Sequence, residues 1–118
     1  MKDNVIFENV LRYVMTLSEE EFAELTVARL ANSQQIDRFS LSRLFKKRTD
    51  MTLEDFLFRQ KMTRALFMLT NRDEITIKEV SQKIGFCTSD YFIRKFREFY
   101  GIAPGKYRGY IVMDGAYE

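Results

Sequence analysis

Two arginines, Arg43 and Arg94, stand 51 residues apart in matching surroundings: Leu41, Arg43 and Phe45 in one place, Phe92, Arg94 and Phe96 in the other. A guanidinium on the outer face of a helix can donate two parallel hydrogen bonds to the edge of a guanine, and a helix is the width the major groove of a duplex admits. Nearby cations, Lys46, Lys47 and Arg48 in one case and Arg97 in the other, are suited to neutralising phosphates. Stepping about 100° per residue puts Leu41, Leu44 and Phe45 on one side of the first helix and Phe39, Arg43 and Lys46 on the other. In the second helix the same construction buries Phe92, Phe96 and Phe99 and presents Asp90, Arg94 and Arg97, with Ser42 and Ile93 at corresponding flanks.

Other chemistries find little to work with. The 118 residues contain no histidine and a single cysteine, Cys87, which excludes an internal disulfide and a cysteine-rich metal site and removes the usual general base. No nucleophile, base and oxyanion set can be assembled, so no catalysis and no cofactor are expected. No apolar run approaches the ~18 residues of a membrane span and no signal peptide opens the chain, so the expected setting is a reducing cytoplasm with no membrane contact. The formal charge is only +2. Its distribution is more informative: residues 36–72 carry 9 basic and 4 acidic side chains, whereas residues 1–35 carry 3 and 6.

The elements that must position the two arginines are helical almost throughout, because apolar residues recur at threes and fours and there is one proline. "VIFENVLRYVMTL" reads as a first helix with Ile6, Val10, Tyr13, Val14 and Leu17 on one face. Ser18 to Glu21 has capping-box spacing, and Thr26-Val27 either continues that helix or restarts it before "ARLANSQQ". Asp37 is suited to cap "RFSLSRLFKKR", and Thr52 to Asp55 to cap the long "LEDFLFRQKMTRALFMLTN", which Asn71 to Asp73 should stop. Thr76 to Glu79 forms another capping box, Gly85 suits a left-handed cap, and Thr88 opens "SDYFIRKFREFY". Gly101 should end that helix and Pro104 begin the next.

An internal repeat follows. Val27, Leu30 and Ala31 match Ile77, Val80 and Ser81 at an offset of 50, and the arginine-bearing helices match at 51. The chain therefore holds two copies of helix, tight turn, helix, joined by a long helix from about Leu53 to Thr70. The expected organisation is a first helix-turn-helix over residues 1–51, a linker helix over 52–71 and a second helix-turn-helix over 72–118.

With these residues in place the chain resembles the DNA-binding region of AraC-family transcription regulators. The resemblance rests on "EVSQKIGF", "SDYFIRKFRE" and "YGIAPGKYR" in the second half, and on "ARLANSQQIDRFSLSRLFKK" and "FLFRQKMTRALFML" in the first. Gln35 stands where many members have glycine, and "SEEEFAEL" is about three residues longer than usual. The resemblance implies an all-α, homeodomain-like architecture of two helix-turn-helix subdomains, specific binding of double-stranded DNA, and control of transcription initiation with RNA polymerase as a candidate second partner. It implies a monomer laying both recognition helices into successive major-groove segments. The chain would then be either a stand-alone activator or a fragment of a larger regulator.

Under that reading Phe39, Ser42, Arg43, Ser89, Asp90, Ile93 and Arg94 read bases, and Arg38, Lys46, Lys47, Arg48 and Arg97 hold phosphates. Alternatives stand beside several of these. Phe39 either stacks on the nucleic acid or folds back over its turn, Ile93 is a packing residue or a methyl reader, and Asp90 answers the helix dipole or a cytosine amine. A protein-interaction module that kept the fold but lost DNA reading is the competing function, motivated by the acidic N-terminal segment, the modest charge and Ile93. Gly85, Phe86, Gly101, Pro104 and Tyr107 are expected to set turns and close the core.

Overall fold

The computed structural model describes residues 2–72 and 74–109, and every regular element among them is a helix. In order these are α1 (Lys2–Thr16), α2 (Glu19–Ala23), α3 (Val27–Ser33), α4 (Arg38–Thr49), α5 (Leu53–Asn71), α6 (Ile77–Lys83) and α7 (Ser89–Tyr100), followed by helical residues 104–109. The chain divides into two compact units, Met1–Gln60 and Lys61–Glu118, and the division falls within α5.

Caps place the helix starts. The Ser18 hydroxyl accepts from the Glu21 amide while the Glu21 carboxylate accepts from the Ser18 amide, and the same reciprocal pair joins Thr76 and Glu79. Thr26 accepts from the Arg29 amide at 3.1 Å. The chain therefore restarts at Val27 rather than running on from α2, which settles the alternative the sequence left open. Asp37, Thr52 and Thr88 accept from the amides of Ser40, Asp55 and Tyr91. Asp73, the last residue of the expected stop after α5, lies outside the described residues.

In the first unit α3 and α1 both pack against α4. Their common core joins Val10 and Val14 to Leu30, Leu41, Leu44 and Phe45, with Leu53 and Leu57 closing it from the start of α5. Phe45 is the hub, its ring 5.3 Å from that of Phe7 and 4.7 Å from that of Phe56. In the second unit α6 packs on α7, and Met62, Ala65, Leu69, Val80, Ile84, Phe92 and Phe96 are buried. Arg108 donates to the carbonyls of Ile75 and Arg72, which ties residues 104–109 to the approach of α6.

The two turns match. Gln35 N–H donates to the Asn32 carbonyl and Ile36 N–H to that of Ala31; 50 residues later Gly85 N–H donates to Gln82 and Phe86 N–H to Ser81. Gln35 has φ 55° and Gly85 φ 89°, so the first turn keeps the left-handed residue of the second without its glycine. The helix ends match as well: Asp50 (φ 60°) terminates α4 where Gly101 (φ 79°) terminates α7, again at an offset of 51.

One expectation fails. Phe99 is 38% exposed, not buried with Phe92 and Phe96. Tyr100 takes the core side of the last turn instead, its ring 4.7 Å from Phe96, and Phe99 sits edge-on outside it.

Candidate nucleic-acid interface

The second helix of each repeat is positioned by burying one stripe, and the opposite stripe is left to solvent. Leu41, Leu44 and Phe45 are buried in α4, and Arg38, Phe39, Arg43, Lys46, Lys47 and Arg48 are exposed. Phe92 and Phe96 are buried in α7, and Asp90, Arg94 and Arg97 are exposed. Ser42 and Ile93 occupy the flanks, both half-buried, as does Ser89 at the start of α7.

Each outer face borders a cleft. In the first unit the lining includes Ser42, Arg43, Lys46 and Lys47 of α4 with Thr52, Leu53 and Glu54. In the second it includes Asp90, Ile93, Arg94, Arg97 and Glu98 of α7 with Ala103. An offset of 51 carries Ser42, Arg43, Lys46, Lys47 and Thr52 onto Ile93, Arg94, Arg97, Glu98 and Ala103. The same depression is thus built twice, with the arginine kept and the side chains around it changed.

Each arginine has its guanidinium in contact with the side chain three residues before it. Ser40 donates its hydroxyl proton to Asp37 at 2.6 Å and accepts from Arg43 at 3.3 Å. The Ser40 hydroxyl, then its amide, hold the Asp37 carboxyl below the usual aspartate value. Arg94 lies over the Tyr91 ring, its guanidinium carbon 5.2 Å from the centroid, and Tyr91 leans on Phe86 at 5.5 Å. Lys61 sits over the other ring of that pair, 5.5 Å from Phe86, and burial pulls its ammonium below the ordinary lysine value.

Several expected phosphate contacts have protein partners. Lys46 donates to the Asp50 carbonyl at 3.1 Å and lies 3.9 Å from its carboxylate. Arg48 donates to Asn4 and stacks over Phe7, which turns it toward α1 and away from the cleft. Arg38 lies over the ring of Phe39, 5.0 Å from its centroid, and Phe39 itself is 64% exposed rather than folded into the turn. The balance of charge differs between the faces: α4 carries five cations and no acid, whereas α7 sets Asp90 and Glu98 against Arg94, Lys95 and Arg97. Ser40, Tyr91, Glu54 and Glu98 were not expected at this surface. The first two stand three residues before the arginines, a helical spacing that was available to find them.

A family model described as a helix-turn-helix domain matches residues 30–110. The Msm operon regulatory protein of Streptococcus mutans serotype c is 28% identical over 86 residues, 73% of this chain and 31% of that protein. A transcriptional regulator from Chromobacterium violaceum, described as having an AraC-type DNA-binding domain, superposes with TM-score 0.75 at 22% identity, over 88% of this chain and 93% of that one. The DNA-binding domain of the global transcriptional factor AdpA, solved in complex with a target DNA, gives TM-score 0.74 at 22% identity, over 86% of this chain and 88% of that one. The chain belongs to the helix-turn-helix family of transcription regulators, in its AraC-type form. It spans about a third of the length of the curated relatives it matches, or less. Among the described residues no helix is long and apolar enough to cross a membrane, and no cluster of His, Cys, Asp or Glu is placed to hold a metal.

Proposed function

We propose that this chain is a sequence-specific reader of double-stranded DNA that works in the cytoplasm to regulate transcription initiation. As a monomer it lays α4 and α7 into successive major-groove segments, with RNA polymerase as its second partner at the promoter. The observation that carries this reading is the twofold recurrence, at an offset of 51, of an exposed arginine at a cleft on the outer face of the second helix of each repeat. Arg43 and Arg94 donate to guanine edges, with Phe39, Ser42, Ser89, Asp90 and Ile93 setting the neighbouring positions. Lys46, Lys47, Arg38 and Arg97 neutralise phosphates, and Arg48 joins them only by leaving Phe7. Residues 1–51 and 72–118 are the two reading subdomains, and the helix over 52–71 sets their spacing.

The charge of α4 gives the first subdomain most of the sequence-independent affinity, and α7, with two acids beside its cations, adds less of it. The same two acids, with Ile93 in the cleft, favour a second reading in which α7 grips a protein surface. Selecting bound sites from a random duplex library separates the two. A DNA reader returns a motif of two unlike elements about 10 base pairs apart. A chain that binds only protein returns none, and shows little affinity for mixed genomic DNA at low salt.

A further inference from the structure

We infer that Ser40 and Tyr91 are positioning residues that aim Arg43 and Arg94, so that equivalent arginines are held by a hydrogen bond in one half and by an aromatic ring in the other. The inference rests on the proposed DNA reading. Its basis is a three-residue ladder that recurs at an offset of 51. Asp37 caps α4 by accepting from the Ser40 amide at 2.9 Å, and Thr88 caps α7 by accepting from the Tyr91 amide at 3.1 Å. One turn further on stand Arg43 and Arg94. Residues three apart on a helix are neighbours, so in each copy the capped residue lies directly beneath its arginine.

The two ladders use different chemistry. In the first, the Ser40 hydroxyl has one proton and gives it to Asp37, which leaves a lone pair facing the Arg43 guanidinium. The carboxylate fixes the direction of the hydroxyl, and the hydroxyl fixes the direction of the arginine. Only one of the five guanidinium protons is used, so a second proton on the same nitrogen and those on its neighbour remain for a bidentate contact. In the second ladder the Tyr91 ring supplies a face for Arg94, and Phe86, delivered by the left-handed turn at Gly85, braces that ring. A ring face restrains the plane of the guanidinium without using any of its protons.

Both contacts are exposed, so their effect falls on orientation rather than on folding. A flexible side chain that must be ordered on binding weakens the complex, and one already aimed does not. The expected loss is roughly three- to tenfold, the range of one net hydrogen bond. On a selected site, Ser40→Ala should lower affinity by that factor, flatten preference at the base read by Arg43 alone, and leave the salt slope and the other half unchanged. Ser40→Thr, which keeps a hydroxyl, should restore it. Tyr91→Leu should do the same at the base read by Arg94, and Tyr91→Phe should behave as wild type. In the DNA-free protein, relaxation of the arginine Nε resonances should show Arg43 loosened by Ser40→Ala and Arg94 untouched, a readout available even if Tyr91→Leu fails to fold.

Unchanged base preference in Ser40→Ala, together with a changed preference in Arg43→Ala, overturns the positioning role and leaves the DNA reading intact. Uniform losses across all bases that Ser40→Thr and Tyr91→Phe fail to rescue also overturn it. Unchanged preference in Arg43→Ala and Arg94→Ala overturns the base-reading assignment, and the inference with it.

Discussion

Replacing Arg43 and Arg94 one at a time by alanine should remove one half of the recognition in each case and spare the other. Both side chains are exposed on faces opposite the buried stripes of α4 and α7, so neither substitution opens a cavity. A surface substitution of this kind changes stability by about 0.5 kcal/mol or less. Arg94→Ala also gives up an exposed contact with the Tyr91 ring, about 0.5–1 kcal/mol. A lost bidentate contact to a base costs roughly 1–3 kcal/mol, or about 5- to 150-fold in affinity. Binding should therefore fall much further than the melting temperature. The assay is affinity for the selected duplex and for each single-base change across it, with helicity and melting followed in parallel. Each variant should lose discrimination at one position within one element. Arg43→Lys sharpens the test, because an ammonium keeps the charge but cannot form the fork. It should retain most of the salt dependence and lose much of the preference. Equal losses at every position would mean that the arginines touch only phosphates, and unchanged binding would remove them from the interface.

Further expectations concern charge, backbone and pH. Lys47→Ala should weaken binding to all sequences alike and lower the salt slope by about one unit, whereas Lys46→Ala should do so only to the extent that Lys46 leaves Asp50; a change in preferred base at constant slope would contradict both. Gln35→Gly should raise stability by about 0.5–1 kcal/mol, the relief of a left-handed side chain less the added freedom of the unfolded glycine, and a lower melting temperature would refute the strain. Gly101→Ala should lower stability by about 0.5–1 kcal/mol, the left-handed strain less the freedom the unfolded chain gives up, because a Cβ there meets nothing within 4 Å. The cap carboxylates of Asp37, Glu21 and Glu79 are all held below their ordinary values, by Ser40, Ser18 and Thr76 respectively. Their contribution is complete above the ordinary values of 3.8 and 4.5 and is lost as pH falls through the lower folded values. Glu79→Gln should therefore flatten the acid side of a melting profile while leaving its neutral side nearly level.

The caps and the apolar stripes were legible because each depends on residues close in sequence. Asp37, Thr76 and Thr88 all start the helices their spacing assigned to them, and Leu41, Leu44 and Phe45 are buried as their periodicity required. Helical spacing alone does not decide whether Phe99 or Tyr100 takes the core side of the last turn of α7. The choice depends on the ring of Phe96, which receives Tyr100. Arg48 illustrates a different limit, since it continues a basic run in sequence while its partners, Asn4 and Phe7, lie more than forty residues earlier. Thr26 was ambiguous because α2 is only five residues long and shows too little periodicity to mark its own end. The left-handed conformation at Gln35 is signalled by its equivalence to Gly85 and by the glycine that many AraC-family members carry there, not by glutamine itself.

Hydroxyl-radical footprinting of the selected duplex, combined with the mass of the complex, tests the central claim most directly. One chain per duplex should protect two patches about 10 base pairs apart on one face of the helix, with the patch nearer the Arg43-dependent base fading in Arg43→Ala and the other in Arg94→Ala. A single short patch, or a palindrome protected only by two chains, would contradict the account of one chain reading two successive grooves.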